Sequence, residues 1–434
     1  MQATTLWSVW LPLLLCFRTA FTDPGHRRFV QWATGLVLTL DDHTLTQTLL
    51  SIDQPDDWKA LEDFVAHGCW DQTTLEQLLA QRLGQLPNRL WHGYHVSVGD
   101  DTKVHRNSKG VWGTCTFHEY SARCPNRATT VRAHNWVVVG TLIPQDNRPW
   151  TYLPQTARLY CRQTQLPQQP EPEVFHTKDQ LLLEPFRQQA RFLGGRHLAA
   201  FDGGYAHRGV VRGLVVPPEG QPRLDFVTRL RRDACLYDLP QPQPPGKRGR
   251  KPVKGAALPK PSQPESWSES WQEATVFLYG RRRQVRYKTR VCLWSVSGWT
   301  VPVRVVLAEV AGFSKLFTVV TSAVELDALA VLAVYAGRYR QEDGFRDAKQ
   351  QLGWEEGRYW TKQTVLRTTQ MTLLVGCLLR LAQWELGKQS ADPWWVIPPW
   401  YPGKQGPSIQ DVVGLFRSHT VGIRALLADW GRSG

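Results

Sequence analysis

Three carboxylates and one helical stripe hold the residue types that could do chemistry in this chain. Asp101, preceded by Asp100, closes the strand-like run HVSVGDDT, and Asp202 closes the run HLAAFD just before GGYA. Carboxylates at strand ends of α/β proteins line sites along one sheet edge, although the same positions also suit a turn or cap. Further on stand Tyr335, Arg338, Glu342 and Lys349, at steps of three, four and seven residues. At about 100° per residue these steps return to one helical face. A hydroxyl, a guanidinium, a carboxylate and an ammonium would then follow one another along that face. A surface helix with an Arg–Glu pair at i, i+4 explains Arg338 and Glu342. It does not explain Tyr335 and Lys349 in register with them.

The pattern Tyr, two residues, Arg, three residues, Glu, six residues, Lys resembles the signature of the family-four type of insertion-sequence transposases, which carry a DDE catalytic triad. Asp101 in DDT and Asp202 in DGGYA are similar to the two Asp motifs of that group and stand in the same order. FVTRLRRDA (226–234) resembles the basic strand after the second Asp. The likeness covers residues 91–385 and implies an α/β, RNase H-like mixed sheet. Asp101 and Asp202 would lie on strands and Glu342 on a helix. It further implies that Asp101, Asp202 and Glu342 are catalytic and hold Mg²⁺, with Mn²⁺ as a substitute. Carboxylates offer hard oxygen ligands, and a pair of ions can assist both the attacking and the leaving oxygen of an in-line displacement.

The implied reaction is cleavage of DNA at transposon ends followed by strand transfer into a target. A DNA nuclease of the same fold without transposition, or an inactive DNA-binding relative, is the alternative. Arg338 and Lys349 are assigned by the resemblance to binding the DNA end, with Tyr335 beside them and Arg229 and Arg231 as further candidates. Asp101 is preferred to Asp100 because the motif places its Asp directly before Thr. LDDHT (40–44) has similar letters but precedes the strand series, so Asp41 and Asp42 read as a cap or turn. In relatives that form hairpin DNA ends an inserted aromatic traps a flipped base. Trp271, Trp294 and Trp299 stand in the corresponding stretch, each read first as a core residue.

The elements that must position these groups follow from the apolar pattern. Residues 1–90 read as an N-terminal helical domain with a buried first helix, the run MQATTLWSVWLPLLLCF lacking the basic start of a signal peptide. Residues 91–235 read as strands and then alternating helix and strand, the first part of the catalytic core. Residues 236–320 read as a Pro- and Lys/Arg-rich linker and β-rich insertion. Residues 321–388 complete the core with one long helix over 326–352 and another over 361–386, and 389–434 form a Trp/Pro-rich tail.

Charge marks the partner. The chain carries 52 Lys+Arg against 38 Asp+Glu, a formal +14. Residues 1–95 hold 6 basic and 10 acidic residues, whereas 240–290 hold 12 basic and 3 acidic ones. The clusters Lys247, Arg248, Arg250, Lys251 and Arg281, Arg282, Arg283 are expected to contact phosphates of double-stranded DNA, the second as a basic stripe on a strand. The basic runs are Pro-rich or strand-like, which argues against an amphipathic membrane helix. Eight scattered Cys without a CxxC pair suit a reducing compartment, and a cytoplasmic, nucleoid-associated homodimer is expected, since pairing two DNA ends calls for two active sites.

Overall fold

The computed structural model describes residues 1–119, 129–166, 174–241, 252–389, 394–404 and 406–433. Five helices come first: α1 (Ala3–Leu15), α2 (Asp23–Leu38), α3 (Leu45–Ser51), α4 (Trp58–His67) and α5 (Gln72–Gly84). Side-chain caps start several of them: the Asp71 carboxylate accepts the Thr74 N–H at 2.7 Å ahead of α5, and Thr22 and Thr44 cap α2 and α3. Asp41 and Asp42 lie in the turn before α3, where Thr44 is the cap and Asp42 pairs with Arg358 at 3.3 Å. The first helix is buried through Leu6, Trp10 and Leu14.

The strands are β1 (Leu90–Trp91), β2 (Tyr94–His105), β3 (Cys115–His118), β4 (Thr130–Ile143), β5 (Thr151–Tyr160), β6 (Arg196–Phe201), β7 (Asp225–Arg229), β8 (Cys235–Tyr237), β9 (Gln272–Leu278), β10 (Arg281–Val296), β11 (Trp299–Val310) and β12 (Phe317–Thr321). Among the described residues all twelve join one mixed sheet. Its centre runs β5–β4–β2–β6–β7, with β2, β6 and β7 mutually parallel and the pairings of β4 antiparallel. This is the α/β, RNase H-like arrangement expected. The stretch read as an insertion continues the same sheet: β12 pairs with β7, and β11, β10 and β8 extend outward from it.

The remaining helices are α6 (Lys178–Leu193), α7 (Arg208–Val215), α8 (Ala328–Gly337), α9 (Arg340–Gln351), α10 (Lys362–Gln389), α11 (Ile409–Ser418) and α12 (Thr420–Ser433). One sheet face carries α6 and α7, where Leu182, Phe186 and Val210 pack on Val137, Ala199 and Phe201. The other carries α8, whose Val331 and Val334 meet Val96, Val98 and Ala200, and α9, whose Phe345 and Ala348 meet Val104 and Trp136. Helices α1–α5 share a third core with α10–α12, through residues such as Trp10, Phe29, Leu378 and Phe416. The apolar α10 is long enough to cross a membrane, and 78% of its apolar window is buried against these neighbours.

Two elements differ from the sequence expectation. First, β2 does not end at its carboxylates. β4 stays paired with it through His105, so Asp100 and Asp101 lie inside a twelve-residue strand. What ends there is the pairing with β6, at Gly99 and Phe201. Second, the helix expected over 326–352 is two helices, α8 and α9. Between them the hydrogen bonds tighten to the i−3 pattern, Tyr339 N–H to Ala336 and Glu342 N–H to Tyr339, and Leu352 caps the second helix. A turn with three residues per repeat shifts the phase of everything after it.

Gly99 sets how closely α6 approaches β2. A Cβ there would sit 2.4 Å from Leu182 Cδ1 and 2.8 Å from Phe186 Cζ. Gly99→Ala is expected to cost about 1–3 kcal/mol through overpacking, measured by urea unfolding of the full chain.

Candidate active site

The parallel register decides which carboxylates meet. Val98 stands beside Ala200 and Gly99 beside Phe201, so the next residues, Asp100 and Asp202, fall side by side on one face. Val98 and Ala200 pack under α8, which identifies that face as the one bearing α8 and α9. By strand alternation Asp101 points to the opposite face. There Lys178 of α6 pairs with it at 2.7 Å and the Tyr205 hydroxyl donates to it at 2.8 Å. The motif-based choice of Asp101 thus selects the neighbour of the residue that faces Asp202. Parity in the sequence separates Val96, Val98 and Asp100 from Ser97, Gly99 and Asp101, but only the register with β6 shows which series faces Asp202.

Arg338 joins the two carboxylates. Its Nη1 lies 2.9 Å from Asp100 Oδ2 and its Nη2 3.6 Å from Asp202 Oδ1, with the side chain 13% exposed. Burial works against its charge, and Asp100, Tyr335, Asp202 and Glu342 together more than restore it. Asp100 is the less comfortable partner. Burial pushes its carboxyl up to about 7, opposed by Arg338 and the Asp101 N–H and assisted by the charges of Asp101 and Asp202. Asp101 behaves oppositely: burial would raise it, but Lys178 and the Tyr205 hydroxyl hold it below the usual carboxylate range. Asp202 caps the short turn Gly203–Tyr205, accepting the Gly204 N–H at 3.2 Å.

The stripe of four residues is divided by the α8–α9 break. Tyr335 is buried on α8 with the Arg338 guanidinium 5.7 Å from its ring centre. Glu342 is exposed in the first turn of α9, beside Gln341, whose amide donates to the Val138 carbonyl at 2.9 Å. Lys349 lies further along, donating to the Lys103 carbonyl at 2.5 Å and pairing with Glu355 at 3.3 Å. The structure therefore brings Arg338, with Tyr335 beside it, to the carboxylate pair, leaves Glu342 exposed in the first turn of the next helix, and takes Lys349 past the pair along β2. Next to Arg338 opens a cavity of about 280 Å³ lined by Arg229, Tyr279, Phe313, Lys315, Tyr335 and Tyr339. Sequence reading missed Tyr279, Phe313 and Tyr339, because an aromatic on a loop has no periodicity to mark it.

The basic residues sort by what they touch. Lys247, Arg248, Arg250 and Lys251 lie outside the described residues. Arg229 reaches the cavity, whereas Arg231 is paired with Asp233 at 3.0 Å. The strand read as a basic stripe is divided. Arg281 and Arg282 are exposed, the latter bonded to Asn147 at 3.1 Å. Arg283 folds onto the Ala311 carbonyl and over the Phe313 ring. Lys288 is buried on the carbonyls of Pro264 and Trp267, and Arg290 pairs with Asp238 and Glu269. The stripe is divided because backbone carbonyls take Arg283 and Lys288, and the acids Asp238 and Glu269 take Arg290. Trp294 is a core residue and Trp299 packs against that core, while Trp271 supports Arg286 and Lys288 over its ring.

Asp100, Asp202 and Glu342 carry oxygen donors of the kind that hard divalent cations take. Among the described residues no three His, Cys, Asp or Glu side chains stand close enough to share one ion. The Arg338 guanidinium provides positive charge beside Asp100 and Asp202. A buried carboxyl raised to about 7 even with that partner is one whose ionised form a further cation would stabilise, so the residues fit such an ion chemically.

The profile of a family described as DDE superfamily endonuclease matches residues 16–294. That span takes in Asp100, Asp101 and Asp202, and Glu342 lies beyond it. No curated protein matches the sequence.

The raised Asp100 carboxyl has a consequence for stability. A group whose folded pKa exceeds its unfolded value favours folding below the unfolded value, near 3.8, and that contribution is lost as pH rises through about 7. Without divalent ions, Asp100→Asn is expected to melt at a higher temperature than the parent at pH 8, with the gap closing toward pH 4. Thermal melts across that range in chelator check it.

Proposed function

The chain belongs to the DDE superfamily of endonucleases, and from that premise we propose that it is a transposase of the insertion-sequence family-four type, cutting DNA at the ends of its element and joining them to a target. The observation that carries the reading is the pair Asp100 and Asp202, side by side on parallel strands and bridged by Arg338, with Glu342 at the start of the next helix. We assign Asp100, Asp202 and Glu342 as the catalytic carboxylates, with Asp100 in the place that the motif alone gave to Asp101. They would hold Mg²⁺, or Mn²⁺ in its stead, which supplies Lewis acidity to the phosphoryl oxygens and lowers the pKa of the attacking hydroxyl.

The chain's own residues do the rest. The guanidinium of Arg338 sits at the boundary between the carboxylates and the aromatic cavity, so a DNA phosphate arriving there offers it a second anionic partner with matching bidentate geometry. Release of Asp100 by Arg338 would leave that carboxylate for the cation. Arg229 and Lys315 lie on the cavity wall in position to hold neighbouring phosphates, and Tyr279, Phe313 and Tyr339 present rings on which a base can stack. The exposed Arg281 and Arg282, together with Lys247, Arg248, Arg250 and Lys251, are proposed to bind the flanking duplex through salt-dependent phosphate contacts. Lys349 and Arg231, paired internally, are proposed to reach DNA only by exchanging those partners. We propose a homodimer on paired ends, acting on chromosomal DNA in the cytoplasm.

The test is a cleavage assay with Mg²⁺ or Mn²⁺ on a plasmid carrying the DNA that flanks the gene. Asp100→Asn, Asp202→Asn and Glu342→Gln should each lower nicking about a hundred- to a thousandfold, the scale of removing one electrostatic element of a catalytic site, while mobility-shift binding persists. Cutting without joined products would make the chain an endonuclease alone. Undiminished cutting by Asp202→Asn would end the proposal.

A further inference from the structure

We propose that Asp101 is a positioning residue: with Tyr205 and Lys178 it locks strand β2 to the turn that carries Asp202, and so fixes the spacing of the two carboxylates on the opposite face. This rests on the assignment of Asp100 and Asp202 as cation ligands. The backbone ladder between β2 and β6 ends at Gly99 and Phe201, one residue short of both carboxylates. Beyond that point the connection passes through side chains. Asp101 Oδ1 accepts the Tyr205 hydroxyl at 2.8 Å, and Asp101 Oδ2 accepts Lys178 Nζ at 2.7 Å.

One end of this bridge is bonded directly to a carboxylate residue that matters, and the other lies three residues from the second. Asp101 is bonded to Asp100, whose own Oδ1 accepts the Asp101 N–H at 2.9 Å. Tyr205 closes the turn that Asp202 caps, its N–H donating to the Asp202 carbonyl at 3.0 Å. The far side of the turn is tied to β7, where the Thr228 hydroxyl donates to the Phe201 carbonyl at 2.9 Å. The first turn of α6 completes the lock: Lys178 neutralises Asp101, and the neighbouring Asp179 lies 3.2 Å from His207, just past Tyr205. Both oxygens of Asp101 are thus engaged on the α6 face, which makes it a strut for the site and not a ligand in it.

The experiment is an Mn²⁺ titration of the full-length protein by electron paramagnetic resonance, with melting temperatures in parallel. Tyr205→Phe removes one hydroxyl and should weaken Mn²⁺ binding about three- to tenfold, the worth of one net hydrogen bond. Asp101→Asn, which keeps an acceptor for Tyr205, should bind Mn²⁺ more tightly than Asp101→Ala. A lowered melting temperature with Mn²⁺ affinity unchanged in Tyr205→Phe would mean ordinary structural support and overturn the proposal. Loss of Mn²⁺ binding in Asp101→Asn but not in Asp100→Asn would make Asp101 a ligand and also overturn it. Parent-like Mn²⁺ binding by both Asp100→Asn and Asp202→Asn would instead bring down the cation site itself, a failure separable from the first two.

Discussion

Two carboxylates placed side by side where the pairing of two parallel strands ends repel each other, and the rest of this site is arranged around that repulsion. The register that pairs Gly99 with Phe201 leaves Asp100 and Asp202 adjacent on one face. Burial makes the conflict sharper, since it raises the cost of ionising Asp100. Arg338 meets the conflict with one guanidinium between the two oxygens. A planar fork can serve two carboxylates at once, where a single ammonium would serve one. Lys178 treats the third acid, Asp101, separately and on the other face. Three acids within one short stretch of sheet edge are therefore divided into two electrostatic compartments by the thickness of a strand.

The break between α8 and α9 is what brings Arg338 to this place. A continuous helix would carry Tyr335, Arg338, Glu342 and Lys349 down one line. The tightened turn at Arg338–Tyr339 lets α8 follow β7 and β12 while α9 packs over β2 and β5. Gly337 and Gly344 permit the close approach, because a Cβ on either would meet the ring of Trp150 or Tyr152 within 2.7 Å. The helical layer behind α9 holds it in position: Arg380 of the buried α10 pairs with Asp347, and the N-terminal helices enclose α10 in turn. Helices distant from the site in sequence thus fix the platform on which Glu342 stands.

The positive charge divides in a similar way. Part of the surplus holds the fold together, as in Lys288 on backbone carbonyls and Arg290 between Asp238 and Glu269. Part faces the cavity beside Arg338 or solvent at the hairpin of β9 and β10. Net charge describes the long-range field that a DNA duplex meets. It does not say which side chains will make the contacts.

By itself the sequence determined the fold class, most of the element boundaries and the residue types of the candidate site. Alternating apolar residues mark β2 and β10, a continuous apolar run marks β4, helical spacing marks α5 and α6, and Asp202 and Glu342 stand out by type and order. These are local properties, written in neighbours along the chain. Tertiary structure alone decided which of Asp100 and Asp101 meets Asp202, because a strand's two faces are equivalent until a partner strand and a covering helix make them different. It also divided the four-residue stripe, since the turn between α8 and α9 is set by packing on two sets of strands. Lys178 and Tyr205 became partners of Asp101 only when α6 crossed over the sheet, and no spacing in the chain records that meeting.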